Sequence, residues 1–464
     1  MRLEPVRSIE EIEDYRRSLR DRSVVVIGAG RSGMASIRLL VETGARVCLA
    51  DSKSREEMGE AAQEAEGLGV AVASGFERLD QTGGADLVVS SPGVPWDHQA
   101  LVAARTRGVE AFGTLELAWR LCPSPVIAIT GTNGKGTVCR MLSGMLAEAG
   151  IEHILAGNIG RPLADALSGA GPRTPAIVEA SSFQLEAIVQ FRPRIAALIN
   201  LSPDHLDRHP SLAAYATAKA RVFENQRPED VAVVNNDDEN ARQFSEETLA
   251  QKRRISLMTD TLDAGVKGGQ FFVNVGGEER LICSTDDLVV RGRHHMINAL
   301  TAALIASLVG ADTEAMAAAM RSYKTPRHHM ERVRGPGGVE FINDSKASNP
   351  ASAVADLEAM ERPFVAIVGG KDKGADFAEL GLLLSSRARG VILIGEAADR
   401  IEEAMGGGAE RADTLEEAVR RAYELCESGW AVVMAPACSS FDMFRDYEHR
   451  GDAFREAVAA LRRE

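Results

Sequence analysis

An α/β chain of three domains is what this sequence predicts, and three observations carry that reading. Short β-prone apolar runs alternate with helical patterns from Ser23 to Met434, the rhythm of parallel sheets covered by helices. Two of the strand-to-helix turns are rich in glycine, as turns that seat phosphate groups are. The length of 464 residues exceeds what one core fills and fits about three domains.

Composition narrows the class. The hydrophobic share of 45% and charged share of 26% are those of an ordinary globular protein. A formal net charge of −14 argues against nucleic acid or an anionic membrane as the main partner, so an anionic substrate must be met by local cations and helix ends. Six cysteines (Cys48, Cys122, Cys139, Cys283, Cys426, Cys438) show neither CxxC pairs nor metal-site spacing, and read as reduced thiols of a cytoplasmic protein, mostly core filler. Met1 to Ser23 is densely charged and reads as a surface helix, not a signal peptide. The uncharged run from Met296 to Ala311 is shorter than the roughly 20 residues a membrane span needs and reads as a buried helix.

The first strand, Ser23 to Ile27, runs into Gly28-Ala29-Gly30-Arg31-Ser32-Gly33 and a helix through Ile37, Leu39 and Leu40. A second strand, Ala45 to Ala50, ends at Asp51. This dinucleotide fingerprint leaves three readings open: glycines that only permit close packing, NAD with Asp51 on a ribose, or another diphosphate on the helix N-terminus. Strands at Ala85 to Ser90 and Val109 to Phe112 follow, and Ser91-Pro92-Gly93 should lie beside the glycine loop if the sheet is parallel. Two prolines break the chain between Leu121 and Pro125, so residues 1–121 form a Rossmann-like N-terminal domain.

The central stretch, on which the rest is organised, is Val126 to Ile129 followed by Thr130-Gly131-Thr132-Asn133-Gly134-Lys135-Gly136-Thr137. Val138, Met141, Leu142, Met145 and Leu146 then recur at helical spacing. Strand, small-residue loop and helix make an anion cradle: backbone N–H groups face the loop and the helix end adds about half a positive charge. Lys135 supplies a mobile cation for outer phosphates, and a following hydroxyl can hold magnesium. Ile129 stands where the full phosphate-loop pattern has glycine, yet the order of parts predicts nucleoside triphosphate binding.

Further strands are expected at Ala176 to Val178, Ile195 to Ile199 and Val231 to Val234, with a β-rich insertion near Gln270 to Val275 and Leu288 to Val290 before a helix from Asn298. Lys324-Thr325-Pro326 is the second linker, which makes 122–325 a central domain of P-loop ATPase type with a parallel sheet. Strands at Val339 to Ile342, Phe364 to Val368, Gly390 to Ile394 and Ala431 to Met434 give residues 326–464 a third α/β unit.

Several strand ends carry chemistry. Glu179 ends the strand after the phosphate loop, where an oxygen ligand for magnesium belongs, although a plain helix-entry acid reads the same way. His205, in Asp204-His205-Leu206-Asp207-Arg208-His209, suits a second metal or a phosphate as well as an ordinary surface role. Lys219 and Arg221 read by composition as a solvated basic helix face. The loops Asn343-Asp344-Ser345-Lys346-Ala347-Ser348-Asn349 and Gly369-Gly370-Lys371-Asp372-Lys373-Gly374, with Pro436 to Asp442, should converge on one sheet edge as a site for a small carboxylate or phosphate.

Taken together and in order, these stretches resemble the Mur ligases, from about Ser23 to the C-terminus. The likeness rests on GTNGK (Gly131 to Lys135), GNIG (Gly157 to Gly160), EASSFQLE (Glu179 to Glu186), DHLDRH (Asp204 to His209), AKARVFEN (Ala218 to Asn225), NDSKASN (Asn343 to Asn349) and PACSSFD (Pro436 to Asp442). The branch most similar adds D-glutamate to UDP-N-acetylmuramoyl-L-alanine in peptidoglycan synthesis. The resemblance implies ATP-driven amide formation through an acyl phosphate, a Rossmann-like C-terminal domain that binds the amino acid, magnesium (two ions), and a cytoplasmic monomer.

Carried over by the resemblance, Gly131 to Thr137 and Lys135 above all would hold the ATP phosphates, and Glu179 a magnesium ion. Asn158 and His205 would border the metal and the acyl phosphate, and Lys219 would be carbamylated into an anionic metal ligand. Asn298 and Asp344 would contact the nucleoside of ATP. Lys346, Ser348, Lys373, Ser440 and Tyr447 would hold the incoming glutamate. Gly30, Arg31, Ser32, Gly33, Asp51 and Ser52 would seat the uridine diphosphate, and a third domain behind Pro326 would close over the ATP site.

Four positions depart from the family pattern. Gly136 replaces the usual hydroxyl, so Thr137 is expected to supply the magnesium oxygen. His329 stands for a frequent arginine, His295 for an asparagine and Lys53 for an arginine beside the uracil nucleotide. GKG followed by a hydroxyl is more like folylpolyglutamate synthase, but the N-terminal α/β domain favours a UDP-sugar over a folate. A dehydrogenase built on Gly28 to Asp51 leaves the phosphate loop unexplained. A non-catalytic regulator need not keep Lys135, Glu179, His205 and Lys219.

Overall fold

The computed structural model describes residues 3–259, 262–290 and 292–461. Met1 and Arg2 of the expected surface helix, and 462–464 of the third domain, lie outside them. The described residues form three β-sheets.

The first comprises β1 (Ser23–Ile27), β2 (Arg46–Asp51), β3 (Ala71–Ser74), β4 (Leu87–Ser90) and β5 (Glu110–Gly113) in the order β3-β2-β1-β4-β5, all parallel. Its order reverses beside β1, where open α/β sheets leave a crevice for ligands. The second contains β6 (Val126–Thr130), β7 (Ile154–Gly157), β8 (Ala176–Glu179), β9 (Ile195–Leu198), β10 (Val231–Asn235), β11 (Gln251–Ile255), β12 (Ala264–Lys267), β13 (Gln270–Val275) and β14 (Glu278–Ser284). Their order is β14-β13-β12-β11-β10-β9-β6-β8-β7, antiparallel only across β12, β13 and β14. The third holds β15 (Glu331–Arg334), β16 (Glu340–Asn343), β17 (Phe364–Gly369), β18 (Gly390–Ile394), β19 (Glu410–Arg411) and β20 (Ala431–Met434) in the order β15-β16-β20-β17-β18-β19, with only β15 antiparallel.

Strands expected from long apolar runs are the inner ones. Every residue of β6, β8, β9, β10, β17 and β20 is buried, which is why their sequences show no polar alternation. The insertion differs from expectation at one end: Leu288 to Val290 is not a strand, and the hairpin partner of β13 is β14, whose Glu278-Glu279-Arg280 is exposed and polar. The helix expected from Asn298 spans Arg293–Val309.

The N-terminal helix Ile9–Leu19 opens with a capping box in which Ser8 and Glu11 each accept the other's backbone N–H, at 3.1 and 2.7 Å. Leu19 is fully buried in the first core, and Arg7 lies over the rings of Tyr15 and Trp119 at 5.5 and 5.6 Å. The segment before β1 is therefore docked on the domain.

The chain forms two compact units: Met1–Leu201, Ala213–Asp287 and Ile297–Arg321 in one, Ser202–Leu212, Leu288–Met296 and Ser322–Glu464 in the other. The first unit holds the first two sheets. They are joined by Glu116, fully buried, whose carboxylate accepts the backbone N–H groups of Val189, Gln190 and Phe191 at 2.8 to 3.1 Å and pairs with Arg120 at 2.8 Å. Gly113 completes the seam; a Cβ there would lie 2.8 Å from the Cβ of Ala187. The stretch with His205 belongs to the second unit. Among the described residues no helix is long and apolar enough to cross a membrane.

Candidate active site

In the first unit the chain leaves β6, passes the loop Gly131 to Gly134 and enters the helix Lys135–Glu148. Gly134 caps that helix in the left-handed region, φ +81°, and a Cβ there would lie 2.3 Å from Oδ1 of Asn298. Both backbone and space therefore demand glycine. Asn200, at the end of β9, laces the loop: its carbonyl accepts the Thr132 N–H at 3.0 Å, its Oδ1 the Asn133 N–H at 2.9 Å, and its Nδ2 donates to the Asn133 carbonyl at 3.1 Å.

Two lysines meet on this loop. Lys135 Nζ donates to the carbonyls of Gly131 and Thr132 at 2.9 and 2.7 Å. Lys219 Nζ donates to the Gly131 carbonyl at 2.7 Å and sits 4.7 Å from the Tyr215 ring centre. Lys219 is 2% exposed, so composition misled in placing it on a solvated face. Thr137, in the first helical turn, is buried. Glu179 ends β8 buried and accepts the Asn158 side chain at 2.9 Å, while its carbonyl accepts the Asn158 backbone N–H at 2.9 Å. Gly157 allows that approach, since a Cβ would lie 2.3 Å from the Glu179 carbonyl oxygen. The first unit thus gathers Asn133, Lys135, Asn298 and Lys219 about the loop, with Asn158 on Glu179. A buried carboxylate and a buried hydroxyl are the hard oxygen donors that suit magnesium.

The other glycine loop of this unit is also built for close approach. Gly28 has φ +99°, and a Cβ on Gly33 would lie 2.0 Å from the Gly28 carbonyl oxygen. Ser91 donates to that carbonyl at 2.8 Å, which puts the Ser91-Pro92-Gly93 turn beside the loop as expected. Gly30, the N-cap of Arg31–Thr43, has open space at its Cβ position. Asp51 accepts the Ala29 N–H at 2.7 Å and the Lys53 N–H at 3.0 Å, so its carboxylate shapes the loop. Ser32 is half-buried, Ser52 exposed, and Arg31 donates to the Gly160 carbonyl at 3.4 Å.

In the second unit a pocket is lined by His205, Ser348, Lys371, Lys373, Cys438 and Ser439 among others. His205 adopts a left-handed φ of +53°, and Asp204 accepts its backbone N–H at 2.8 Å and the Asn349 side chain at 3.2 Å. Burial pushes the Cys438 thiol up to about 12, so it stays protonated and is no nucleophile. Ser440, two residues on, is buried, and Lys346 is exposed, with Nζ 5.7 Å from the Tyr447 ring centre. Asp344 is fully buried; burial, then the neighbouring Asp356, raises its carboxyl well above the usual carboxylate range. Burial alone would also raise Asp356, but the His294 hydrogen bond and the charges of His294, His329 and His295 draw it below that range. His295 is held down to about 3 by burial and by His294 and His329.

Arg450, from the last helix, went unread in the sequence. It is 1% exposed, and its guanidinium donates to Ser345 Oγ at 3.0 Å, the Ser345 carbonyl at 2.9 Å and the Cys438 carbonyl at 3.0 Å. Burial lowers it to about 10. It ties the lysine-bearing loop after β16 to the loop after β20. Lys371 ties the third loop in, its N–H donating to the Ser439 carbonyl at 2.9 Å. An arginine in an amphipathic helix carries no sequence signal for such a role.

A lysine-bearing glycine loop at the end of a parallel strand, with two further α/β sheets, defines a multidomain phosphate-loop protein. Three family models cover most of its length: the Mur ligase MurD-like N-terminal domain at 22–113, the Mur ligase middle domain at 129–306 and the Mur ligase glutamate ligase domain at 328–438. The chain is 39% identical over 453 residues to the UDP-N-acetylmuramoylalanine--D-glutamate ligase of Caldanaerobacter subterraneus subsp. tengcongensis, covering 96% of this chain and 100% of the relative. It is 37% identical over 457 residues to that of Pelotomaculum thermopropionicum, covering 97% and 100%. Among solved structures, MurF from Acinetobacter baumannii shares the fold with a TM-score of 0.62 at 15% identity, covering 100% of both chains. The chain belongs to the Mur ligase family.

Proposed function

We propose that this protein joins D-glutamate to UDP-N-acetylmuramoyl-L-alanine in peptidoglycan precursor synthesis, through an acyl phosphate. Family membership makes it an ATP-dependent, ADP-forming ligase that makes a carbon–nitrogen bond. The observation that carries the choice of substrates is the 39% identity, over almost its whole length, to a D-glutamate-adding relative. Its domains divide at 121/122 and 325/326, and it acts as a cytoplasmic monomer.

The chemistry explains the parts. A carboxylate is a poor electrophile at neutral pH, so its oxygen takes the γ-phosphoryl group of ATP; the glutamate amine then attacks the carbonyl carbon and phosphate leaves. Lys135, now resting on loop carbonyls, turns to the ATP phosphates with the N–H groups of Gly131 to Thr137. Asn298 and Asp344 hold the nucleoside. Thr137, Glu179, His205 and a carbamylated Lys219 would hold magnesium, two ions, which would supply charge neutralisation on the transferring phosphoryl group. Burial of Lys219 supports the carbamate, because a buried ammonium costs several kcal/mol and a neutral amine is the form that captures carbon dioxide.

His205 and Asn158 attend the acyl phosphate. Gly30, Arg31, Ser32, Gly33 and Ser52 seat the uridine diphosphate, with Asp51 fixing the loop's shape. Lys346, Ser348, Lys373, Ser440 and Tyr447 take the glutamate, with Lys346 stabilising charge as the amine adds. The test is to incubate the protein with ATP, magnesium, UDP-N-acetylmuramoyl-L-alanine and either D- or L-glutamate. Phosphate release and a product mass with D-glutamate alone are expected; product with L-glutamate alone, or none, overturns the reading.

A further inference from the structure

We propose that His294, His295, His329, Asp344 and Asp356 form a binding site for one divalent transition-metal ion of the zinc class. The phosphate-loop chemistry uses no such ion, and because Asp344 also serves the ATP nucleoside in the function proposed above, the ion and ATP would exclude one another at that carboxylate. His294, His295 and Asp356 each offer a ligand atom within 4.8 Å of the others, and His329, Asp344 and Asp356 form a second such group through the shared Asp356. The imidazoles stand in a row, with ring centres 4.1 Å apart for His294 and His295 and 5.7 Å for His295 and His329.

The donors are buried and incompletely used. Asp344, Asp356 and His295 are 0%, 3% and 2% exposed. Asp344 Oδ1 accepts the Met330 N–H at 3.1 Å, its carboxyl otherwise meets the carboxyl of Asp356, and Nδ1 of His295 has no hydrogen-bond partner. His294 Nε2 lies 3.1 Å from Asp356 Oδ1, an ion-pair contact that already brings one imidazole onto the shared carboxylate. A bond left unmade on a buried polar atom is costly, and carboxyls buried against one another and against imidazoles call for a ligand.

The donor types select the class. Imidazole nitrogen with carboxylate oxygen suits zinc and its neighbours, whereas magnesium wants oxygen alone. Around a tetrahedral ion with bonds of about 2.0–2.1 Å the donors stand about 3.4 Å apart, so atoms within 4.8 Å of one another must draw in by at most about 1.4 Å, and four of the five side chains fill the ion's positions. Access exists, because His295 lines a cleft of about 700 Å³ together with Met330 and Ile342.

The test is calorimetric titration of the full-length, metal-stripped protein with zinc chloride in excess magnesium, and with cobalt(II) followed by visible absorption. One equivalent is expected, bound despite magnesium, with the intense bands of low-coordinate cobalt. His295→Asn should weaken zinc at least tenfold and lose those bands. His329→Arg should do the same, and decides the matter if His295→Asn does not fold. No saturable binding, or parental affinity in a folded variant, overturns the site.

Discussion

The phosphate loop and the histidine–aspartate cluster place charge in buried surroundings by opposite routes. At the loop, Lys135 and Lys219 are each met by backbone carbonyls, and Gly131 serves both. In the cluster, five ionisable side chains face one another and leave buried atoms without partners. The loop is a continuous stretch of sequence, so its geometry follows from local backbone preference. The cluster is assembled from a helix start, a linker, a strand end and a second helix, so its energetics follow from tertiary packing. Charges held by backbone are poised to be exchanged for substrate; charges held by one another are poised to respond to protons or metal.

That contrast can be broken at its strong end first. Lys135→Ala should reduce kcat/KM by about a thousandfold, as loss of a preorganised phosphate cation does, with the melting temperature nearly unchanged. Steady-state kinetics and calorimetry check both halves; a large drop in melting temperature would make the lysine structural. Arg450→Lys should cost about 2–4 kcal/mol of stability, because an ammonium cannot reproduce the three-pronged fork on Ser345 and Cys438. Denaturant unfolding, with KM for glutamate measured alongside, reads the effect; wild-type values for both would show that the fork holds nothing.

Thr137→Ala should lower ATP turnover about ten- to a hundredfold and raise the magnesium needed for half-maximal rate. A variant indistinguishable from the parent would return the metal oxygen to another group. The smallest effect concerns pH. His295 is neutral in the folded protein down to about 3, while an unfolded histidine takes a proton near its ordinary 6.5. Between those values the unfolded chain binds more protons, so stability falls on acidification by up to about 1.4 kcal/mol per pH unit. His295→Asn removes that term, and its stability should decline less steeply than the parent's from pH 6.5 toward 4; parallel slopes would show the imidazole charged when folded.

Legibility in the sequence tracked the same divide. Buried strands such as β6 and β17, the glycine loops and the chain's α/β class were readable because each is set by neighbours in sequence. The strands β3, β7, β11, β12, β14, β15 and β19 escaped notice, being short or half-exposed with mixed polarity. Of the candidate site, Lys135 and Glu179 were marked by position at strand ends. Lys219 was marked only by family likeness, since composition puts a lysine in water and only the fold buries it. Asn200, Arg450 and the cluster around Asp356 had no local signature, because their partners are distant in the chain.

Glu116 carries one more consequence. A single carboxylate that terminates three amides of the loop leading into β9 welds the first sheet's domain to the second sheet's. Gene fusions that swap the first 121 residues between related enzymes would sever that weld, whereas exchanges made near position 201 keep donor and acceptor from the same parent. Recombination libraries of this scaffold should therefore yield far more active progeny at the later crossover.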